Sequence, residues 1–352
     1  MTTRAEQVAV LRPLYQRDLA SGTERFFGPR RTDCPWCASD RLRERLRTPD
    51  LLQHKPGTFV IDRCLACGHH FQNPQLNQDG LEFYYRDCYD GLGREAAENL
   101  LGTSRSRRRH RVAAESLRPF VDPERWLDVG TGYGHFPEAA RQVFPKTVFH
   151  GLDQGEGVAF AEAEGRVEKA LRGLFTDVAP SLAGQYDVVS MHHYLEHTPD
   201  PRAQLKAAHT ALAPGGLLQV EVPDPGSAYS WMLGRWWVPW FQPQHLHLMP
   251  LRNLRQALED SGFAMMEVDR RAAHRPMDLA GAVVLLFSRL MPRDDAPWRP
   301  RPPSPAARHL RKFLRASGLP VAAAAYGIDL CFAPAARRTG FSNAYRILAR
   351  RN

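Results

Sequence analysis

Three sets of residues in this sequence have types and spacings suited to chemistry. Gly130, Gly132 and Gly134 occupy alternate positions in "WLDVGTGYGHF", behind an apolar run that ends in Asp128. Cys34 and Cys37 form one CxxC pair and Cys64 and Cys67 another, with 26 residues between the pairs. Histidines gather after the strand-like "YDVVSMHH" (His192, His193, His197) and again in "QHLHL" (His245, His247). A bare-backbone turn suits a nucleotide-like cofactor, four thiolates suit a tetrahedral metal, and imidazoles suit proton transfer near neutrality.

The glycine spacing is GxGxG, not the GxGxxG of dinucleotide turns. Asp128 at the preceding strand end would repel a pyrophosphate but attract the ammonium group of S-adenosylmethionine (SAM). The glycines let the backbone approach the methionine portion, which a Cβ would block. Asp153 closes the next strand, in "HGLDQ", at the downstream spacing of an acid that accepts hydrogen bonds from ribose hydroxyls. Adenine is then expected near Leu174 and Phe175. His192 and His193 end a strand on the ligand-binding edge, so side-chain alternation turns one toward the methyl group and the other away. His192 is placed with the cofactor and His193 with the acceptor.

The cysteine pairs read as two knuckles of a zinc ribbon, the second following the strand-like "TFVIDR". Four thiolates make a closed structural zinc site. A redox role for one CxxC would leave the other unexplained, and a complete set leaves His69 and His70 no place on the metal. Cys88 and Cys331 read as ordinary buried thiols. Paired CxxC motifs favour a reducing cytosol, hence a cytoplasmic protein.

The elements that must hold these groups follow from pattern. The chain has 352 residues, 43% of them hydrophobic and 24% charged, enough for one large and one smaller soluble domain. Residues 1–30 read as a helical arm, 31–75 as the ribbon and 76–118 as a helical linker. From "RWLDV" to "AMMEVDR", residues 119–270, strands alternate with helices. That pattern predicts an α/β fold: a Rossmann-like, doubly wound, mostly parallel sheet that binds ligands at the carboxyl ends of its strands. Residues 224–250, rich in Trp and Pro, read as a lid, and 271–352 as a helical extension with a final strand, "AYRILARR". Tyr84, Tyr85, Tyr89, Trp231, Trp236, Trp237, Trp240 and His247 either line a substrate pocket or simply pack. No uninterrupted apolar stretch of spanning length is visible. "DLAGAVVLLFSRLMP" is too short to span and reads as a core helix, a dimer surface or a peripheral membrane contact. The net charge of +9 favours anionic partners, and "RSRRRHR", Arg105 to Arg111, is either a phosphate-contacting patch or a solvated helix face.

Taken together, "LDVGTGYG", "LEHTPDP", "ALAPGGLLQVEVP" and "FQPQHLHLMPLRNLRQALEDSGF" resemble the class I SAM-dependent methyltransferases. The likeness is to the branch that modifies small molecules such as quinones and nucleotide-linked sugars, and it runs from Phe120 to Asp269. With the four-cysteine module in front, the chain also resembles the deoxysugar C-methyltransferases, although its tail departs from theirs. The resemblance implies SAM, a structural zinc and a small-molecule acceptor. Acceptor deprotonation is then assigned to His193, His245 or His197, with Glu196 orienting a histidine or capping the turn. The alternative is an RNA methyltransferase gripping phosphates through the ribbon and "RSRRRHR". Against it, the fourth motif lacks the Asn/Asp-Pro-Pro-aromatic signature. Intact glycines and both acids argue against a non-enzymatic interaction module.

Overall fold

The computed structural model describes residues 4–86 and 103–352; Cys88 and Tyr89 lie outside them. The chain divides into two compact units. One comprises Met1–Tyr85, Ala228–Leu246 and Arg275–Ala336, the other Arg86–Ser227, His247–His274 and Arg337–Asn352. Each is described in its own terms.

The first unit opens with helix α1 (Arg4–Leu19), then an antiparallel meander of β1 (Leu42–Thr48), β2 (Phe59–Cys64) and β3 (His70–Gln72), then helix α2 (Gln78–Tyr85). Its core is aromatic. Tyr15, Phe26, Phe59, Phe83, Tyr84 and Trp298 pack together, with Phe26 and Phe83 stacked at 4.5 Å. Lys55 is buried in their midst and donates to the carbonyls of Phe83 and Tyr84 at 2.8 and 3.1 Å, so its charge is solvated by backbone oxygen and ring faces.

The second unit begins at helix α3 (Ser104–Glu115), whose N-cap Thr103 accepts from the Ser106 amide. It continues as β4 (Arg125–Val129), α4 (His135–Arg141), β5 (Val148–Asp153), α5 (Gly157–Ala163), β6 (Lys169–Arg172), α6 (Phe175–Val178), β7 (Tyr186–His192), α7 (Pro201–Ala211) and β8 (Leu212–Pro223). Strands β4, β7 and β8 are largely buried on both faces, as a sheet covered by helices on each side requires. After β8 the chain passes to the first unit as α8 (Ala228–Met232). It then returns for β9 (His247–Leu248), α9 (Leu251–Asp260) and β10 (Phe263–Asp269). Two further first-unit helices, α10 (Asp278–Leu290) and α11 (Pro305–Ala336), precede the last strand, β11 (Ala344–Arg351).

Among the described residues the second unit holds a seven-stranded sheet in the order β10-β11-β8-β7-β4-β5-β6. Strands β4 to β8 pair in parallel, and β11 lies antiparallel between β8 and β10. The expected doubly wound sheet is therefore present. Its limits differ from those read in the sequence: the final strand, assigned to the extension, is an inner strand of this sheet. Residues 228–246, read as a lid on the cofactor domain, group with the first unit. The core under the sheet is built on Trp126, fully buried among Phe136, Phe144 and Phe149.

The long helix corrects a second expectation. The sequence shows no uninterrupted apolar stretch of spanning length, yet the single 32-residue helix α11, with Pro320 and Pro334 inside it, has an apolar part long enough to cross a membrane.

Candidate functional site

The glycine turn leaves the end of β4 and feeds α4. Gly130, Gly132 and Gly134 all have positive φ, at 75°, 52° and 74°. A Cβ on Gly130 would lie 2.6 Å from Cδ2 of Tyr194, and one on Gly134 would lie 2.9 Å from the Ala161 Cβ; these two glycines admit neighbours. At Gly132 an added Cβ would meet nothing within 4 Å. That glycine faces open space, where the backbone is free to meet a ligand.

Asp153 ends β5 beside this turn. Its Oδ2 accepts from the Gly132 amide at 2.9 Å and its Oδ1 from the Gly155 amide at 2.8 Å. An ionised carboxylate is an acceptor, the kind of group to which ribose hydroxyls donate. Leu174 follows Gly173, whose amide donates to the Asp153 carbonyl, and its side chain is exposed. Phe175 is fully buried, which makes it a support for this wall and not a surface. Asp128 lies deeper than an acid at a strand tip. Its Oδ1 accepts from Ser190 Oγ at 2.6 Å, and that hydroxyl accepts in turn from the Trp126 indole at 2.9 Å.

The expected alternation does not separate the two histidines: His192 ends β7, and His193, just beyond it, reaches Glu221, two residues along β8 from the Gln219 that His192 meets. His192 packs against Phe136 with ring centroids 4.1 Å apart and planes tilted by 46°, and its Nε2 meets the Gln219 Oε1 at 2.9 Å. Gln219 spends its amide donors on Ala113 and Ser116, which makes His192 Nε2 the donor in that bond. Its Nδ1 is 3.9 Å from Asp128. His193 takes a positive φ of 52° and lies between two carboxylates, Glu196 Oε1 at 3.0 Å and Glu221 Oε1 at 3.2 Å. Burial pushes its pKa down, but the two carboxylates outweigh that and raise it to about 9. Glu221 in turn accepts from Arg346 Nε and Nη2 at 3.0 and 2.6 Å. Burial alone would raise its carboxyl, yet Arg346, Arg109 and His193 hold it well below the usual range. At neutral pH His193 is thus an imidazolium with both N–H groups engaged. Carboxylates on both ring nitrogens favour the charged form, which weighs against the expected role as general base.

Residues 104–268 match the family model described as a methyltransferase domain. The expectation of such a domain is met. Within the wider chain, a ubiquinone biosynthesis O-methyltransferase of Pseudomonas paraeruginosa (strain DSM 24068 / PA7) is 35% identical over 98 residues, 26% of this chain and 40% of that protein. The enzyme of the same name from Acinetobacter baumannii (strain AYE) is 35% identical over 96 residues, with the same shares. The chain spans about 40% of the length of the curated relatives it matches. A SAM-dependent methyltransferase of known structure from Archaeoglobus fulgidus aligns with a TM-score of 0.45 at 18% identity, over 73% of this chain and 98% of that one.

In the methyltransferase domain His197 closes the turn Leu195–His197 after β7, half-buried, with its amide on the Tyr194 carbonyl. His247 is buried, with Nε2 at 3.1 Å from the Pro199 carbonyl. Arg105, Arg107, Arg108 and Arg111 are exposed on α3. Three contributors went unseen in the sequence reading. Tyr194 packs on Gly130 and donates to Gln204 at 3.0 Å, while Glu221 and Arg346 set the charge of His193. A lone acid inside the apolar "LLQVEVP" was a signal for Glu221; nothing local marked the other two.

The remaining expected residues lie in the first unit. Cys34, Cys37, Cys64 and Cys67 bring their sulfurs within 4.8 Å of one another, with Cys34–Cys67 at 3.7 Å and Cys37–Cys64 at 3.6 Å. Four sulfurs at about 2.3 Å from one ion would stand roughly 3.8 Å apart, so the set fits a tetrahedral metal. Both knuckles are built alike: Ala38 and Gly68 amides donate to the Cys34 and Cys64 carbonyls at 2.9 Å. Trp36 stacks on His69 at 4.7 Å and closes the module. Burial pushes the Cys34 thiol up and Cys67 to about 11. At Cys64 the amides of Cys67 and Ala66 overcome burial and bring it to about 7. A cation is what would hold all four as thiolates.

Tyr84 is a core residue whose hydroxyl donates to the Pro56 carbonyl at 2.6 Å, and Tyr85 donates to Gln244 at 3.0 Å. Trp237 is buried and its indole donates to Asp278 at 2.8 Å. His245 is buried with Nδ1 at 2.8 Å from the Pro239 carbonyl. Cys331, expected to be buried, is exposed on α11.

Proposed function

We propose that this chain is a SAM-dependent methyltransferase acting on a small-molecule acceptor, with a structural zinc in the four-cysteine set. The observation that carries the reading is Gly132: a positive-φ glycine facing open space, its amide held by the Asp153 carboxylate. A bare cradle beside an acid fits a ribose-bearing cofactor. The GxGxG spacing and Asp128 favour a sulfonium nucleoside over a pyrophosphate carrier. The relatives' name, ubiquinone biosynthesis O-methyltransferase, supports a small-molecule acceptor over RNA.

In this reading the turn 130–134 receives the methionine portion, Asp153 the ribose hydroxyls and Leu174 one face of the adenine. Bound there, SAM supplies both the methyl group and its own leaving group. The protein's part is to orient the acceptor and take its proton. Imidazolium His193 ties the β7 turn to β8 through Glu196 and Glu221 and so positions the site. His192 faces the α3–α4 layer and His247 meets a carbonyl. Within the methyltransferase domain, His197 therefore inherits the role of base.

Calorimetry with S-adenosylhomocysteine tests the cofactor, with Asp153→Ala expected to weaken binding at least tenfold. Labelled methyl from SAM should enter a low-molecular-weight pool of cell extract that ribonuclease leaves unchanged, and His197→Gln should slow that transfer. Binding of NADH without binding of adenosylhomocysteine would end the proposal.

A further inference from the structure

We infer that the α10–α11 hairpin is a docking surface for an anionic lipid bilayer. The proposal stands on the first unit alone and goes beyond methyl transfer. From residue 316 to 336, α11 carries a single charged side chain, Asp329. Asp329 is buried, where it accepts from the Leu279 and Ala280 amides at 3.1 and 2.9 Å and so caps α10. The buried positions of α11, Gly318, Ala325, Asp329, Ala333 and Ala336, form one narrow stripe toward α10. A Cβ on Gly318 would stand 2.8 Å from the Phe287 ring, so the two helices touch closely there.

Much of the remaining circumference is open and apolar, while Phe332 meets the Tyr229 ring edge-on. Phe313 and Leu319 are each 69% exposed, Ile328 57% and, on α10, Leu290 68%. A helix of such composition is usually the core of a soluble protein or a leader near the chain start. Here only 17% of the apolar window is buried, and the helix begins at residue 305. Neither explanation applies, and an apolar surface of this size needs a partner.

Charge identifies the partner. Between Arg289 and Arg315, eight lysines and arginines face two aspartates. Asp294 lies 3.6 Å from Arg311, and Asp295 pairs with Arg12 at 2.7 Å. Arg308, Lys312 and Arg315 are exposed at the head of the apolar stretch. An apolar helix face flanked by basic side chains is the chemistry of a membrane interface carrying acidic headgroups.

The stretch 316–336 measures about 31 Å, enough to cross a bilayer core, but the fold forbids it. Folded parts of the same unit hold both ends. Upstream, Trp298 is buried against Tyr15; beside Asp329, the start of α10 is pinned by the Trp237 bond to Asp278. The helix therefore lies along the bilayer with its open face immersed.

The test is flotation of the zinc-loaded full chain with vesicles of phosphatidylcholine alone or with 30% phosphatidylglycerol by mole, the salt being varied. The chain should float with the acidic vesicles and fall away as salt rises. Arg308→Glu with Lys312→Glu should weaken binding more than about 25-fold, roughly fivefold for each charge removed. Phe313→Asp with Leu319→Asp should abolish flotation without changing the far-ultraviolet circular dichroism. If the apolar variant misfolds, the charge-reversed one decides the matter. Failure to float with acidic vesicles overturns the proposal. So does a wild-type dimer in sedimentation velocity that Leu319→Asp converts to monomer, because a second copy would then cover the face. Neither result bears on adenosylhomocysteine binding.

Discussion

His193→Gln offers the sharpest test of the buried charge network. In the folded chain two carboxylates raise the imidazole from 6.5 to about 9. At about 1.4 kcal/mol per pH unit, that preference is worth about 3 kcal/mol. Below pH 6.5 both folded and unfolded chains hold the proton, and the full contribution is present. Between 6.5 and 9 only the folded chain keeps it, so stability falls as pH rises. Above 9 the contribution is gone. The variant has no proton to lose and should lack this slope. It should also be less stable at pH 6.5 by about 3 kcal/mol, because Glu196 loses its cation while Glu221 keeps Arg346. Urea unfolding of both proteins at pH 6.5, 8 and 9.5, followed by circular dichroism, measures the difference. A proton NMR titration of the labelled imidazole reads the group directly. Parallel stabilities for wild type and variant across that range, or an imidazole titrating near 6.5, would refute the account and restore His193 as a candidate base.

Gly132→Ala should weaken adenosylhomocysteine at least tenfold in calorimetry while leaving the fold intact, since its Cβ meets only open space but the left-handed backbone resists a side chain. Ala38→Gly should stabilise the cysteine module by about 1 kcal/mol, seen as slower release of metal to a chromogenic chelator. Ala38 is exposed at φ 55°, where the matching residue of the second knuckle is Gly68 at φ 74°. Native mass spectrometry should find one zinc per chain, and strong chelation should expose four thiols to Ellman's reagent. Lys55→Ala should cost roughly 2 kcal/mol in urea unfolding, because the Phe83 carbonyl would lose its Lys55 donor and the Tyr84 carbonyl would fall back on the longer bond from Gln244 at 3.3 Å.

Local pattern carried the parallel half of the sheet. "RWLDV", "TVFHGLD", "YDVVSMHH" and "GLLQVEVP" are apolar runs alternating with helices, and all four are strands of that sheet. The cysteine cluster was equally legible, because its spacing is its geometry. Beyond those, meaning depends on partners distant in sequence. "AYRILARR" reads as a strand, yet nothing local says that it fits between β8 and β10. Trp237 looks like a pocket residue until Asp278, 41 positions on, is found holding its indole. His193 looks like a base until Glu221, 28 positions on, is found beside it. In the tail the apolar length of α11 did not show as one run, because Pro320, Asp329 and Pro334 interrupt it in sequence but not in structure.

The placement of β11 governs how the protein can be made. Until Ala344–Arg351 leaves the ribosome, β8 and β10 each present a bare edge, and the sheet of the second unit lacks an inner strand. The first unit also waits, since its third segment ends only at Ala336. Each half thus waits on a segment far downstream of its first residues, leaving a long nascent chain for chaperones to shield. A stop codon placed just before Ala344 would release a sticky, split sheet with an inner strand missing.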